Sequence, residues 1–208
     1  MAGRVLAAVS TSPRVLPRTK PLHPRGSLHE ARLEVAGLPA PTGAPLLDGG
    51  PVARDCLVRV SRAVGLPEPW PDITGAAVRV SGADGGDLLF ASTGTGRWTR
   101  FLLLPRSSRW SGTLTTLLPF RTRLGLTWLA LRPTGRNEYQ LLCATQGGAW
   151  AVTGVLRIGR RIGTGDELRF GPVQEAPAGL VVPRPLALLR QPAYERARDR
   201  GRPGTQPR

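Results

Sequence analysis

The sequence predicts a mainly β fold, an antiparallel barrel or sandwich with a short helix at its C-terminal end (α+β in a strict count). Three observations lead there. Apolar runs of strand length recur along the chain, about nine in all, several with a clear period of two. Turn formers separate them, with 26 glycines and 21 prolines among 208 residues, too many for a coiled coil or a helical repeat. The hydrophobic share of 40% supports one domain with a real core. No apolar run approaches the ~20 residues of a membrane-spanning helix.

The elements follow in chain order. Ala31, Leu33 and Val35 alternate with Arg32 and Glu34, a half-buried strand. Residues 37–50 form a Pro/Gly-rich loop without periodicity. Cys56, Val58 and Val60 alternate with Leu57, Arg59 and Ser61 and give the second strand. Residues 65–75 hold three prolines, each lacking a backbone donor and restricting its predecessor, so this stretch is irregular. Strand character resumes over 76–80, and 82–86 is a turn rich in residues that tolerate positive φ. Residues 87–92 and 99–104 read as the next pair of strands. A short helix fits within 110–120, ending before Pro119. Strands over 126–131, 139–145, 150–158 and 167–170 follow. Pro192 at a first helical position and Gly201 just past the end bracket a terminal helix. Its tail, RPGTQPR, is expected to stay unstructured. The domain boundaries implied are a basic arm (1–22), the β domain (23–183) and a basic helix and tail (184–208).

The formal charge is +15, from 29 basic and 14 acidic residues, and Lys20 is the one lysine. The excess is concentrated at the ends. Residues 1–25 carry Arg4, Arg14, Arg18, Lys20 and Arg25 with no acid, while 184–208 carry seven arginines against Glu195 and Asp199. The 158 residues between them hold 17 basic and 12 acidic side chains, an ordinary surface. Basic ends can hold a phosphate backbone, but no aromatic-rich basic motif accompanies them, so solvated termini are favoured over nucleic-acid contact. The acid-free N-terminus faintly resembles an organelle transit peptide, but a frayed amphipathic segment or short helix is the better reading. Cys56 and Cys143 each lie in an apolar run and are expected as buried free thiols, in keeping with a reducing cytoplasm.

Few residues offer chemistry. The histidines are His23 and His29 alone, which leaves a metal hydrolase almost wholly dependent on carboxylates; no metal site is expected. STGTGR (92–97) has the glycines of a phosphate cradle, but it joins expected strands rather than opening a helix, so a turn is the better reading. No GxSxG elbow, HExxH helix or CxxC pair occurs. Asp72 and Asp87 are expected to cap turns rather than act as catalytic acids.

The ordered combination says more. His23-Pro-Arg-Gly is followed by a strand, then Val58-Arg59-Val60-Ser61, then a Gly/Pro loop. Asp72-Ile-Thr-Gly75-Ala-Ala77-Val-Arg79-Val and Asp87-Leu-Leu come next. This order resembles the first half of the catalase barrel: His-x-Lys-Gly, Arg-Phe-Ser, Asp-x-Arg-Gly-Phe-Ala-x-Lys, then Trp-Asp-Leu. The resemblance spans roughly residues 20–104. It implies a closed antiparallel barrel with a haem pocket at its mouth and oxidoreductase chemistry on peroxide. By the match, His23 is the distal histidine and Ser61 the hydroxyl that orients it, the catalytic pair. Arg59 is the partner of a haem propionate. Arg190 and Tyr194 reproduce the spacing of an arginine and a tyrosinate iron ligand, although Pro192 between them favours a packing role for Tyr194. The departures are Ala91 and Ser92 in place of an asparagine pair, Lys20 in place of an arginine, and Thr74 in place of the arginine of Asp-x-Arg-Gly.

The reading is therefore a divergent catalase-like barrel with weak or lost peroxide activity, binding haem or another small anionic ligand. The alternatives are a phosphodiesterase, favoured only by the supply of arginine, and a non-enzymatic nucleic-acid module acting through the basic ends.

Overall fold

The structure, a computed structural model, describes residues 25–183 except 109 and 173. Within the compact unit Leu22–Val182 the described chain forms nine strands: β1 (Arg25–Val35), β2 (Val52–Arg62), β3 (Thr74–Val80), β4 (Gly86–Ser92), β5 (Leu114–Thr115), β6 (Phe120–Thr122), β7 (Gly125–Gly135), β8 (Glu138–Thr145) and β9 (Ala151–Gly163). Neighbours are antiparallel throughout. β9 pairs back onto β1 and β5 pairs with β7, so eight strands close a ring from which β6 is left as a hairpin on β7. A sandwich is excluded. No helix among the described residues is long and apolar enough to cross a membrane.

The period of two decides which side chains enter the ring. Leu33 and Val35, Val58 and Val60, Val78 and Val80, Leu88 and Phe90, Leu129 and Leu131, and Leu141 and Leu156 form one buried cluster. Eight strands leave an interior that side chains of this size fill. Each buried side chain of this class contributes about 1.5–3 kcal/mol. Gly154 on β9 lies close against the backbone of β1: a Cβ there would strike the Glu34 carbonyl oxygen, so this position needs a glycine.

Both ends of the ring are closed by their loops. Between β1 and β2 the expected irregular loop contains a single helical turn, α1 (Pro45–Asp48), which buries Leu46 and Leu47 in the core. The Asp48 carboxylate accepts from the Thr42 amide and hydroxyl, both at 2.7 Å, and from the Gly43 amide at 2.6 Å. At the opposite end Arg62 is buried, 3.7 Å from Asp72. It donates to the carbonyls of Ser107 (3.2 Å), Arg106 (3.3 Å) and Trp70, and so ties loop 63–73 to loop 93–113. Asp72 accepts from the amides of Val64, Gly65, Leu66 and Ile73, the turn-capping role expected of it. Trp110 packs on the core from this end, and the Tyr139 hydroxyl donates to its carbonyl at 3.4 Å.

Three expected elements differ. Residues 99–104 are not a strand: Thr99–Phe101 is a 3-10 turn, because the Gly96 carbonyl accepts from the Arg100 amide and the Thr99 hydroxyl accepts from the Gly96 amide. The helix expected within 110–120 is absent. Leu114–Thr115 instead bridges β4 to β7 and completes the ring, a tertiary demand that local propensity does not express. Residues 167–170 are not a strand either; side chains of β3 and β4 pin them, as shown below. The expected terminal helix and tail, and the arm 1–22, lie outside the described residues.

Candidate functional site

Because Cys56, Val58 and Val60 face the core, Arg59 and Ser61 face outward. The register then aligns two rows across the outer wall. One runs Leu28, Arg59, Ala77, Leu89; the next, toward the end of the ring, runs Gly26, Ser61, Gly75, Ala91. The second row is made only of small residues; Ser61 in it is buried, and the Arg59 guanidinium lies over Gly26. Resemblance implies a pocket at the barrel mouth. Arg59 and Ser61 lie instead on the outside of the wall, and the interior beside them is packed core.

Arg59 bends back along this wall. Its guanidinium lies over Gly26, where a Cβ would stand 2.7 Å from Cζ. Its Nε donates to the Thr164 carbonyl at 3.2 Å, and its Nη2 to Asp166 Oδ1 at 3.2 Å. Between them Gly165 has φ +71°, and a Cβ there would lie 3.1 Å from Arg59 Cδ and 3.2 Å from Leu28 Cβ. A glycine is required on both counts. Residues 164–166 thus cover Leu28 and the stem of Arg59. The Thr164 hydroxyl first, then the Arg59 guanidinium, hold the Asp166 carboxyl below its ordinary value of 3.8.

The row on the other side of Arg59 is anchored the same way. Arg79 grips the fully buried Asp87 with two hydrogen bonds of 2.7 Å, and the Gly171 amide donates to Asp87 at 2.7 Å. Arg79 also reaches the Arg169 carbonyl (2.5 Å), Glu175 (3.1 Å) and the Phe170 ring (5.1 Å). The hydrogen bonds that Arg79 donates to Asp87 raise the Arg79 pKa above its usual value. Asp87 is therefore not the turn cap expected of it: its partners are a cross-strand arginine and an amide 84 residues away, and it anchors residues 169–175. Sequence reading missed Asp166; its only signal was the turn-like GTGD, with nothing to say that the turn folds onto Arg59.

Ser61 is buried. His23, Arg190 and Tyr194 lie outside the described residues; β1 begins two residues after His23. Ala91 takes the outward position of its pair, while Ser92 turns inward, donating to the Leu104 carbonyl at 2.7 Å and accepting from the Thr74 amide at 3.1 Å. The outer wall thus offers a methyl group where the resemblance has an amide. His29 is inside the ring, edge-on to Trp110 at 5.5 Å with Nδ1 3.4 Å from the Gly159 carbonyl oxygen. The glycines of 92–97 form a turn against Thr99 and open no helix of useful length. Cys56 and Cys143 are free and buried. Among the described residues no three His, Cys, Asp or Glu side chains group as a metal site.

Two of the Arg59 donors are taken by the Asp166 carboxylate and the Thr164 carbonyl, so a haem propionate reaches this guanidinium in the same way only by displacing Asp166.

No family model matches the chain, and no curated protein matches it. Among solved structures 63 chains match. One is a fungal catalase, with a TM-score of 0.62 at 11% identity, over 93% of this chain and 61% of that one. At that identity the likeness is one of fold: this chain has a catalase-like barrel and spans 61% of the catalase it matches.

Proposed function

We propose that this chain is a divergent catalase-like barrel that has lost peroxide turnover and binds an apolar-bodied carboxylate on the outer wall of β1–β4. One arrangement supports the reading. A row of small residues, Gly26, Ser61, Gly75 and Ala91, lies beside a guanidinium whose carboxylate partner sits on an exposed loop residue. Asp166 then stands in for the ligand's own carboxylate. A ligand displaces Asp166 from Arg59, keeps a charge-assisted hydrogen bond of the same kind, and lays its apolar body along the small-residue row, where burial drives binding. The exchange costs little electrostatically, since one carboxylate replaces another and the displaced one is already largely in water.

No iron step enters the proposal. The outward amide expected from the resemblance is replaced by Ala91.

The test is titration with a fluorescent long-chain fatty acid, with peroxide consumption measured separately after addition of haemin. Saturable one-to-one binding is expected, weakened about tenfold in Arg59→Gln, the equivalent of ~1.4 kcal/mol. Peroxide consumption is expected to match free haemin alone. Binding unaffected by Arg59→Gln overturns the ligand assignment; turnover well above free haemin overturns the loss of peroxide chemistry.

A further inference from the structure

Two arginines are buried among the described residues, Arg62 and Arg100. Arg62 has two carboxylates and three carbonyls around it. Arg100 has no anion. It stands on the turn Thr99–Phe101 with 5% of its surface exposed, its guanidinium between the Trp128 and Trp150 rings at 5.2 Å from each centroid. The one hydrogen bond of its side chain runs from Nε to the Gly96 carbonyl, at 3.4 Å. The two Nη groups meet no acceptor among the described residues, yet they are not sealed from solvent.

The surroundings offer no acid and add a second cation. Residues 93–107, which carry Arg100, and residues 124–131 and 139–151, which carry the two tryptophans, contain no aspartate or glutamate. Arg97, three residues before Arg100, is exposed over the Trp98 ring at 5.4 Å and takes part in no ion pair among the described residues. Burial first, then the charge of Arg97, lower the Arg100 pKa. Contact with two indoles offsets part of the cost of burial, but a buried charge ordinarily has a charged partner. The glycines of 92–97 shape this arrangement without cradling an anion themselves. A Cβ on Gly94 would strike the Thr99 side chain, and the Gly96 carbonyl accepts from the Arg100 amide, which sets Arg97 and Arg100 in one tight turn.

We infer that Arg100 and Arg97 together bind a phosphate group, free or at the end of a monoester. Charge decides between oxyanions. Two guanidiniums without an acid call for two negative charges, and a phosphate monoester carries about −1.5 to −2 at pH 7, whereas a monocarboxylate leaves one cation uncompensated. A guanidinium already fixed between two rings loses little freedom on binding, and its paired Nη donors match two phosphate oxygens. The site is built on residues 96–100, β7 and the residue before β9, so it does not rest on the Arg59 wall.

The test is isothermal titration of the full chain, at constant ionic strength, with inorganic phosphate, phenyl phosphate and acetate. Saturable binding of one phosphate per chain is expected, weakened about fivefold in Arg97→Gln and about tenfold or more in Arg100→Gln. Binding of inorganic phosphate alone supports a site for the free ion, and binding of phenyl phosphate as well supports one open to esters. Arg97 is exposed, so its variant keeps the fold and the test stays decisive should Arg100→Gln misfold. Phosphate binding undiminished in Arg97→Gln, which would put the anion on the basic ends, overturns the inference. So does acetate bound as tightly as phosphate, or no phosphate binding at all.

Discussion

The guanidinium of Arg59 rests on Gly26, in the space a Cβ at that position would need. This close approach lets an outward-facing arginine on β2 lie flat against β1 and reach the loop that follows β9. A glycine in the first strand, an arginine in the second and an acid 107 residues later thereby form one clamp. Gly26→Ala is expected to lift the guanidinium off the wall and lose about 1 kcal/mol of stability, since hydrogen bonds from a charged donor contribute at least that much. The double variant with Arg59→Met should cost little more than Arg59→Met alone, because both act on one contact. Urea unfolding of the four proteins checks this; additive losses would mean that Gly26 serves some other purpose.

Arg62 is the one arginine that enters the ring between described strands and is almost wholly buried. Replacing it with methionine leaves Asp72 without its cation and takes the arginine donor from the carbonyls of Ser107, Trp70 and Arg106, the last of which keeps the Asp72 amide. A loss of about 3 kcal/mol is expected, the cost of breaking rather than replacing a buried pair. Thermal unfolding reads it directly. A loss below the size of a surface substitution would show that Asp72 is satisfied by its four amides alone.

Acid should weaken the barrel through two carboxylates. Burial pushes the Asp48 pKa up, but the Thr42 hydroxyl and the amides of Thr42, Gly43 and Ala44 together outweigh it and leave it below 3.8. Asp166 is lowered as well, by Thr164 and Arg59. A carboxyl lowered on folding adds stability that is complete above its unfolded pKa and is lost as the pH falls through its folded one. Stability should therefore decline below pH 3.8. Asp48→Asn should be less stable at neutral pH and show a flatter acid limb in denaturant midpoints taken across pH.

Burial raises the Cys56 thiol to about 12 and the Cys143 thiol to about 11. Almost no thiolate forms at pH 8, and the thiolate is the reactive species. Both cysteines should react with a thiol reagent only as fast as the protein opens, and readily in urea. Fast labelling of the folded protein would contradict their place in the core.

The contrast between these residues shows what a sequence can express. Val58 and Val60 announce an inward face by alternation, and their odd-numbered neighbours Arg59 and Ser61 follow as outward residues. Asp72 was legible as a turn cap because its amide partners, from Val64 to Ile73, are local. Leu114–Thr115 was not legible as a strand, because two residues form one only when β4 and β7 stand ready on either side. Asp166 was likewise hidden: its partner is remote in sequence, and GTGD reads as a turn whichever wall it folds against. The clamp was half visible, arginine without acid. The terminal residues named by resemblance, His23, Arg190 and Tyr194, lie outside the described chain.

The most direct measurement is the fatty-acid affinity of Asp166→Asn beside that of the unaltered protein. If Asp166 occupies the place of a ligand carboxylate, removing its charge removes the competing carboxylate, and binding should tighten severalfold while the Arg59→Gln variant stays weak. Unchanged or weaker binding in Asp166→Asn would show that the acid holds the loop and competes with nothing.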